Sequence, residues 1–168
     1  LEEKITLTDD MFAGLYEEGA TQAGFQPGEE VRVMDLLYGA MLPSGAECCI
    51  ALADTISGSE ADFAELMNKK AKKLGMVDTH FCDSTGLHDP DHYTCARDMA
   101  LIGRELFKHP EFFQIVQTLN YTIPASETTE EHVFHQKHKM LQPSNSNYYP
   151  YTIGGKTGYT SDALSTLI

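Results

Sequence analysis

Residues 154 to 160, which read GGKTGYT, combine a lysine and a threonine with glycines on both sides. Their pattern is typical of a strand. Lys156 and Thr157 would place an ammonium group and a hydroxyl side by side at a strand edge, and both groups can donate hydrogen bonds to a carboxylate. Gly155 and Gly158 would let the backbone of a ligand come close. The pattern therefore predicts a carboxylate-binding strand, although a surface hairpin with a solvated lysine fits the same residues.

A phosphate-binding loop is an alternative interpretation of the Gly-Lys-Thr sequence. Such a loop needs a further glycine separated from the Gly-Lys pair by four residues, because its backbone N–H groups surround the phosphates. Here that position is Pro150, which has no N–H group. The spacing therefore excludes a nucleotide-binding loop of this type.

The charge and composition restrict the possible partners. The 168 residues carry a net charge of −13, from 12 Lys and Arg against 25 Asp and Glu. This excess of negative charge argues against a nucleic acid or an anionic membrane surface as a partner. The first residues, Leu1 and Glu2, include neither an initiator methionine nor a leader. We therefore expect that preceding residues were removed and that any membrane anchor lies outside this chain. No cofactor is predicted.

Neither the cysteines nor the histidines have the spacing of a metal site. No two cysteines are arranged as Cys-x-x-Cys, so small buried residues and disulfide partners both remain open interpretations. Three histidines recur at every third position, which on a strand would place them on alternating faces. We therefore predict exposed polar histidines and no bound metal. These residues are Cys48, Cys49, Cys82 and Cys95, and His132, His135 and His138.

The order of predicted elements indicates an α+β domain, with helices first and strands last. Ser59 is a favourable N-cap, and Gly75 is a favourable residue just beyond the end of the same helix. Thr94 is predicted to cap a later helix, and Pro110 to separate it from a further short helix. The remaining segments are predicted from apolar content: helices at 34–41 and 47–56, and strands at 121–123, 133–140 and 152–160.

Four segments resemble one family, and they occur in that family's order. They are residues 36–46, 74–89, 95–102 and 154–160. Together they are similar to the D-alanyl-D-alanine carboxypeptidases, the low-molecular-weight penicillin-binding proteins. The serine β-lactamases share the catalytic motifs, but they are not similar to residues 74 to 102.

The resemblance implies an α+β fold of the DD-peptidase and β-lactamase-like transpeptidase type. Residues 1–168 would be part of its catalytic domain, namely the helical region and part of the antiparallel sheet. It also implies a bacterial envelope protein outside the cytoplasm, whose substrate is a peptidoglycan stem peptide ending in D-Ala-D-Ala. In this family a serine in a Ser-x-x-Lys motif forms an acyl-enzyme, and β-lactam antibiotics are inhibitors.

The resemblance also assigns roles to individual residues. Ser44 would be the second catalytic serine, which relays a proton to the leaving amine, and Lys156 would supply positive charge beside it. Thr157 would hydrogen-bond the terminal carboxylate of the substrate, next to Gly155 and Gly158. Without the resemblance, Ser44 would be interpreted as a helix N-cap.

Two features depart from the family pattern. No serine in the chain is followed three residues later by lysine, so the nucleophile is expected outside these residues. The family's Ser-Gly-Asn is here Ser44-Gly45-Ala46, and alanine cannot make the hydrogen bonds of asparagine. The alternative hypothesis is therefore a catalytically impaired homologue that binds stem peptides or envelope partners without hydrolysis.

Overall fold

The computed structural model describes residues 1–168 and contains five α-helices and three two-stranded antiparallel ladders. The α+β composition is as predicted, but two short strands precede the helices, and the helices-first order holds only for the elements after them. The strands, however, form three separate pairs, each made of two strands that follow one another along the chain. The bounds are β1 Lys4–Thr6, β2 Glu30–Arg32, α1 Val33–Met41, α2 Ala46–Ser57, α3 Glu60–Leu74, α4 Ala96–Leu106, α5 Pro110–Gln117, β3 Asn120–Ile123, β4 His132–His135, β5 Thr157–Thr160 and β6 Leu164–Leu167, with 3-10 turns at Asp9–Phe12 and Lys139–Leu141.

The core lies where α1 and α2 pack against each other. Leu36 lies in α1 and Leu42 directly follows it, and both belong to the same buried cluster as Cys48 of α2. Phe25 and Phe134 close this core with their rings in an edge-to-face arrangement, 5.6 Å between centroids. The core therefore fixes α1 and α2, together with the short connection between them.

Helix α3 has the boundaries that its capping residues predict. The hydroxyl of Ser59 accepts a hydrogen bond from the backbone N–H of Asp62 at 3.1 Å. Gly75 follows the last turn with a left-handed φ of 81°. The prediction for α4 was wrong by one residue, because its N-cap is Cys95. Thr94 shares a hydrogen bond with the hydroxyl of Thr79 at 2.9 Å instead of capping the helix.

Two predicted strands are shorter in the structure than in the sequence interpretation. Strand β4 ends at His135; the next residue, Gln136, bonds the carbonyl of Leu119 through its backbone N–H, and its side chain donates to the carbonyl of Val116 in α5. Strand β5 begins at Thr157 and not at residue 152, because Gly154 and Gly155 have positive φ angles of 145° and 157°.

Pro110 is the first residue of α5, where its missing N–H group has no cost.

The histidine prediction was wrong for two of the three residues. His132 is buried, and its Nε2 lies 3.0 Å from the carboxylate of Glu29. His138 is also buried, whereas His135 is exposed. A partner from a distant part of the chain makes the burial of His132 possible, which a local pattern does not reveal.

The four cysteines are free thiols. None of the helices has the length and apolar character needed to cross a membrane.

Candidate active site

Ser44 and Lys156 meet in the structure although 112 positions separate them. The Lys156 ammonium donates a hydrogen bond to Ser44 Oγ at 2.9 Å and a second one to the carbonyl oxygen of Thr157. Lys156 is half-buried, so it is not the solvated lysine of a surface hairpin. The two residues that sequence motifs single out therefore form one contact, which couples a hydroxyl to a cation.

Ser44 occupies the connection between α1 and α2 in a strained conformation. Its φ angle is 68°, in the left-handed region that non-glycine residues avoid at a cost of about 1–2 kcal/mol. The N-cap of α2 is Gly45. The interpretation of Ser44 as a helix cap is therefore wrong, and its hydroxyl oxygen instead accepts a hydrogen bond from Lys156. Strained residues of this kind concentrate at functional sites.

Ala46 begins α2 and is buried, with 6% of its surface exposed. Its backbone N–H donates to the carbonyl of Thr21 at 2.8 Å, and the N–H of Gly45 donates to Gly39 at 2.9 Å. These bonds attach the Ser44 turn to two other segments. The side chain of Ala46 provides a methyl group, and no polar atom, at this position.

Two glycines allow the segment before β5 to pack closely enough to place Lys156. A Cβ atom on Gly154 would lie 2.5 Å from Cγ2 of Val116, and one on Gly155 would lie 2.6 Å from Cδ2 of His138. Both positions have φ angles that favour glycine. The backbone of Lys156 then pairs with Ile168, with its N–H 2.9 Å from the Ile168 carbonyl. The absence of side chains at these two positions therefore allows the backbone before β5 to lie close to α5 and to His138.

Thr157 and Gly158 follow Lys156 on β5. Thr157 is half-buried opposite Leu167, and Gly158 is exposed opposite Thr166. Strand β5 pairs with β6 alone, so its other edge carries unpaired backbone groups. An edge of this kind can accept an extended peptide through main-chain hydrogen bonds.

The environment of Lys156 favours loss of its proton. Burial lowers the pKa of Lys156, and the positive charge of Lys137 acts in the same direction. Cys49 on α2 acts in the opposite direction and raises the pKa of Lys156, although the sequence predicted no role for Cys49 at this site. Burial raises the pKa of the Cys49 thiol to about 11, while the nearby Lys156 charge opposes that rise. Only its distance from Lys156 in space could have identified Cys49, because no motif contains it.

The loop of residues 82–92 lies beside this site. Asp83, within this loop, contributes to the raised pKa of Cys49 through its negative charge. Nδ1 of His88 lies 3.7 Å from the carboxylate of Asp162 in the turn after β5. The loop therefore borders the site and contacts the ladder that contains Thr157.

One cluster has atoms that could hold a metal ion. Ligand atoms of Asp78, Cys95 and Asp98 lie within 4.8 Å of one another. However, the buried carboxylate of Asp98 already accepts hydrogen bonds from the Asp78 N–H at 2.8 Å and the Thr79 hydroxyl at 2.9 Å, and it also pairs with Arg97. These contacts fix the start of α4, so the carboxylate has a structural role.

Comparison with known proteins identifies the family. The sequence model of the D-alanyl-D-alanine carboxypeptidase family matches residues 1–168, so the chain belongs to this family. The chain is 37% identical over 149 residues to the D-alanyl-D-alanine carboxypeptidase DacF of Bacillus subtilis, covering 86% of this chain and 36% of that protein. It is 35% identical over 175 residues to DacC of Escherichia coli, covering 99% and 41%. The chain thus spans well under half the length of these relatives.

Solved structures show the same fold. The crystal structure of the Streptomyces DD-transpeptidase superimposes with a TM-score of 0.85 at 29% identity, covering 96% of this chain and 63% of that one. One of its single-residue variants gives a TM-score of 0.87. The predicted DD-peptidase fold is therefore confirmed.

Proposed function

We propose that the protein containing this chain is a serine-type D-alanyl-D-alanine carboxypeptidase that removes the terminal D-alanine from peptidoglycan stem peptides. The observation that carries the proposal is the 2.9 Å hydrogen bond from Lys156 to Ser44. It joins the two motif residues that the family resemblance assigns to proton transfer. Membership of the carboxypeptidase family supports the same reaction and gives no support to a binding-only homologue.

The geometry suits a proton relay. In the proposed reaction a serine hydroxyl gives its proton to the lysine of its Ser-x-x-Lys motif while its oxygen attacks the carbonyl carbon of the penultimate D-alanine, and the bond from that carbon to the terminal D-alanine nitrogen breaks. The departing nitrogen needs a proton. Since Ser44 Oγ accepts from the Lys156 ammonium, its own O–H remains free to donate to that nitrogen. The lowered pKa of Lys156 helps to replace the proton that Ser44 gives up. Water then hydrolyses the acyl-enzyme.

Substrate binding is assigned to β5. The Thr157 O–H would donate a hydrogen bond to the terminal carboxylate of the stem peptide, next to the charge of Lys156. The free edge of β5, with Gly158 exposed and Gly155 just before it, would pair with the extended peptide. β-Lactam antibiotics would occupy the same region as inhibitors.

The attacking serine would come from a part of the protein outside these residues. No Ser-x-x-Lys occurs in the 168 residues, which we take as part of the catalytic domain. We place the protein outside the cytoplasm, in the bacterial envelope.

Alanine at position 46 is compatible with this proposal. Solved structures of the Streptomyces DD-transpeptidase include variants in which a serine, and the cysteine two residues after it, were each replaced by alanine. That spacing equals the spacing between Ser44 and Ala46, and we propose that the two pairs correspond. A DD-transpeptidase without asparagine at this position supports catalysis in a chain that has Ala46.

The test measures D-alanine release from a peptide ending in D-Ala-D-Ala by the full-length protein. Ser44→Ala and Lys156→Met should each lower kcat/KM by about 10²–10³-fold, as expected for a group that acts in the transition state. The matched controls Ser165→Ala and Lys69→Met alter exposed residues and should leave the rate unchanged.

Labelling with a fluorescent penicillin locates the nucleophile. Peptide mapping of the labelled full-length protein should find the modified serine outside residues 1–168. A penicilloyl group on Ser44 would overturn the assignment of Ser44 as a relay. Absence of both labelling and D-alanine release would overturn the proposed function.

A further inference from the structure

Glu47 has an environment that its position in a helix does not explain. It is the second residue of α2, and its side chain is fully buried, with 0% of the residue exposed. Oε1 accepts hydrogen bonds from the backbone N–H groups of Ala23 at 2.6 Å and Gly24 at 3.0 Å. Oε2 has no hydrogen-bond partner. An unpaired buried oxygen is costly, so a residue of this kind needs a reason beyond stabilising the start of a helix.

The segment that Glu47 holds lies directly against the Ser44 turn. A Cβ atom on Gly45 would lie 2.7 Å from the Ala23 side chain and 2.9 Å from the Ala23 nitrogen. The same segment accepts the N–H of Ala46 through the carbonyl of Thr21 at 2.8 Å. Residues 21–24 therefore pack closely against the backbone that immediately follows Ser44.

We infer that Glu47 is a positioning residue for Ser44: its buried carboxyl holds residues 21–24 against Gly45 and so keeps Ser44 in its left-handed conformation. A left-handed serine persists only where its surroundings determine the backbone. The backbone of Gly45 is held by Gly39 on one side and covered by Ala23 on the other. Glu47 provides the side-chain bonds that keep Ala23 in place, and it acts through Ser44 without contacting substrate.

This inference rests on the proposed function, since the value of a fixed Ser44 is its alignment with Lys156 and the leaving nitrogen. Burial raises the pKa of Glu47, against the effect of the backbone N–H groups of Gly24 and Ala23. A glutamine at this position would keep one oxygen as the acceptor for both N–H groups. Glu47→Gln is therefore the conservative variant, and Glu47→Ala is the variant that removes both bonds.

The kinetic test uses the full-length protein with these two variants and Glu65→Ala, which changes an exposed glutamate of α3, as the control. Active sites are counted with a fluorescent penicillin, so that misfolded molecules do not contribute to kcat. Glu47→Ala should lower kcat for D-alanine release by about 10²-fold with little change in KM, the size expected for a small misplacement of a reacting group. Glu47→Gln should stay within about threefold of the unaltered protein.

A second measurement does not depend on activity. Hydrogen exchange of the Ala46 amide, which bonds to Thr21, should speed up by at least about tenfold in Glu47→Ala and remain slow in Glu47→Gln. Faster exchange with an unchanged kcat would overturn the inference, because Glu47 would then be only structural. Unchanged exchange would overturn it as well. If the unaltered protein releases no D-alanine, the proposed function fails, and hydrogen exchange still shows whether Glu47 holds the turn.

Discussion

Ser44 and Lys156 share a hydrogen bond, but they are held in place by different physical means. The backbone at Ser44 is strained, and hydrogen bonds from distant segments hold it there. Lys156 follows two glycines whose lack of side chains lets the strand pack against Val116 and His138. One half of the site therefore depends on polar contacts and the other on close packing, so different substitutions should break them.

The largest loss of stability should come from the packed half of the site. Gly154→Ala should lower the free energy of unfolding by about 3 kcal/mol, because the new Cβ collides with Val116 and the backbone becomes strained. Gly86→Ala is the matched control, since Gly86 has a positive φ of 80° but open space around it, and it should cost about 1 kcal/mol. Urea unfolding measures both. Equal losses would show that packing against Val116 has no part in placing the strand.

The next largest expected effect is on the pH dependence of stability, and it concerns Asp83 in the loop of residues 82–92. Burial alone would raise the pKa of Asp83, but hydrogen bonds from His92, Thr85 and Gly86 lower it to about 2. Its contribution to stability is therefore present above pH 4 and is lost as the pH falls towards 2. The difference in pKa corresponds to about 2 kcal/mol.

Asp83→Asn tests this value. The variant should be less stable than the unaltered protein at pH 7, and the difference should shrink as the pH falls from 4 to 2. Urea unfolding at several pH values gives the comparison, with the exposed Asp9→Asn as the control. A difference that does not vary with pH would contradict the assigned pKa.

Strain at Ser44 should appear as a smaller difference in stability, and here glycine should be the more stable residue. Ser44→Gly should be more stable than Ser44→Ala by about 1 kcal/mol, because glycine accepts the left-handed conformation. At Ser165, on strand β6, the same pair should show the reverse order, since glycine weakens an ordinary strand. Thermal unfolding of the four variants decides the point. The same order at both positions would mean that Ser44 is not strained.

Glu47 should show a pH dependence opposite in sign to that of Asp83. Burial raises the pKa of Glu47, so its contribution to stability is complete at low pH and is lost as the pH rises through the raised value. Relative to the unaltered protein, Glu47→Gln should therefore gain stability as the pH increases. Unfolding experiments from pH 4 to pH 8 follow this difference, and a constant difference would contradict a raised pKa.

The sequence alone determined the elements whose signals are local. Ser59 and Gly75 mark the ends of α3, because a hydroxyl cap and a left-handed glycine act within one turn of the helix. The order of the family segments also predicted the fold and singled out Ser44 and Lys156 as candidate site residues. Where a local signal had a competing partner, as at Thr94, the prediction was displaced by one residue.

The tertiary structure alone decided how the site is built. The contact between Ser44 and Lys156 spans 112 positions, and the burial of His132 depends on Glu29, which is 103 positions away. The left-handed backbone of Ser44 and the enclosed carboxyl of Glu47 have no local signature. Each depends on bonds or packing between segments that only the folded chain brings together, because the free energy that holds a strained or buried group is supplied by its neighbours in space.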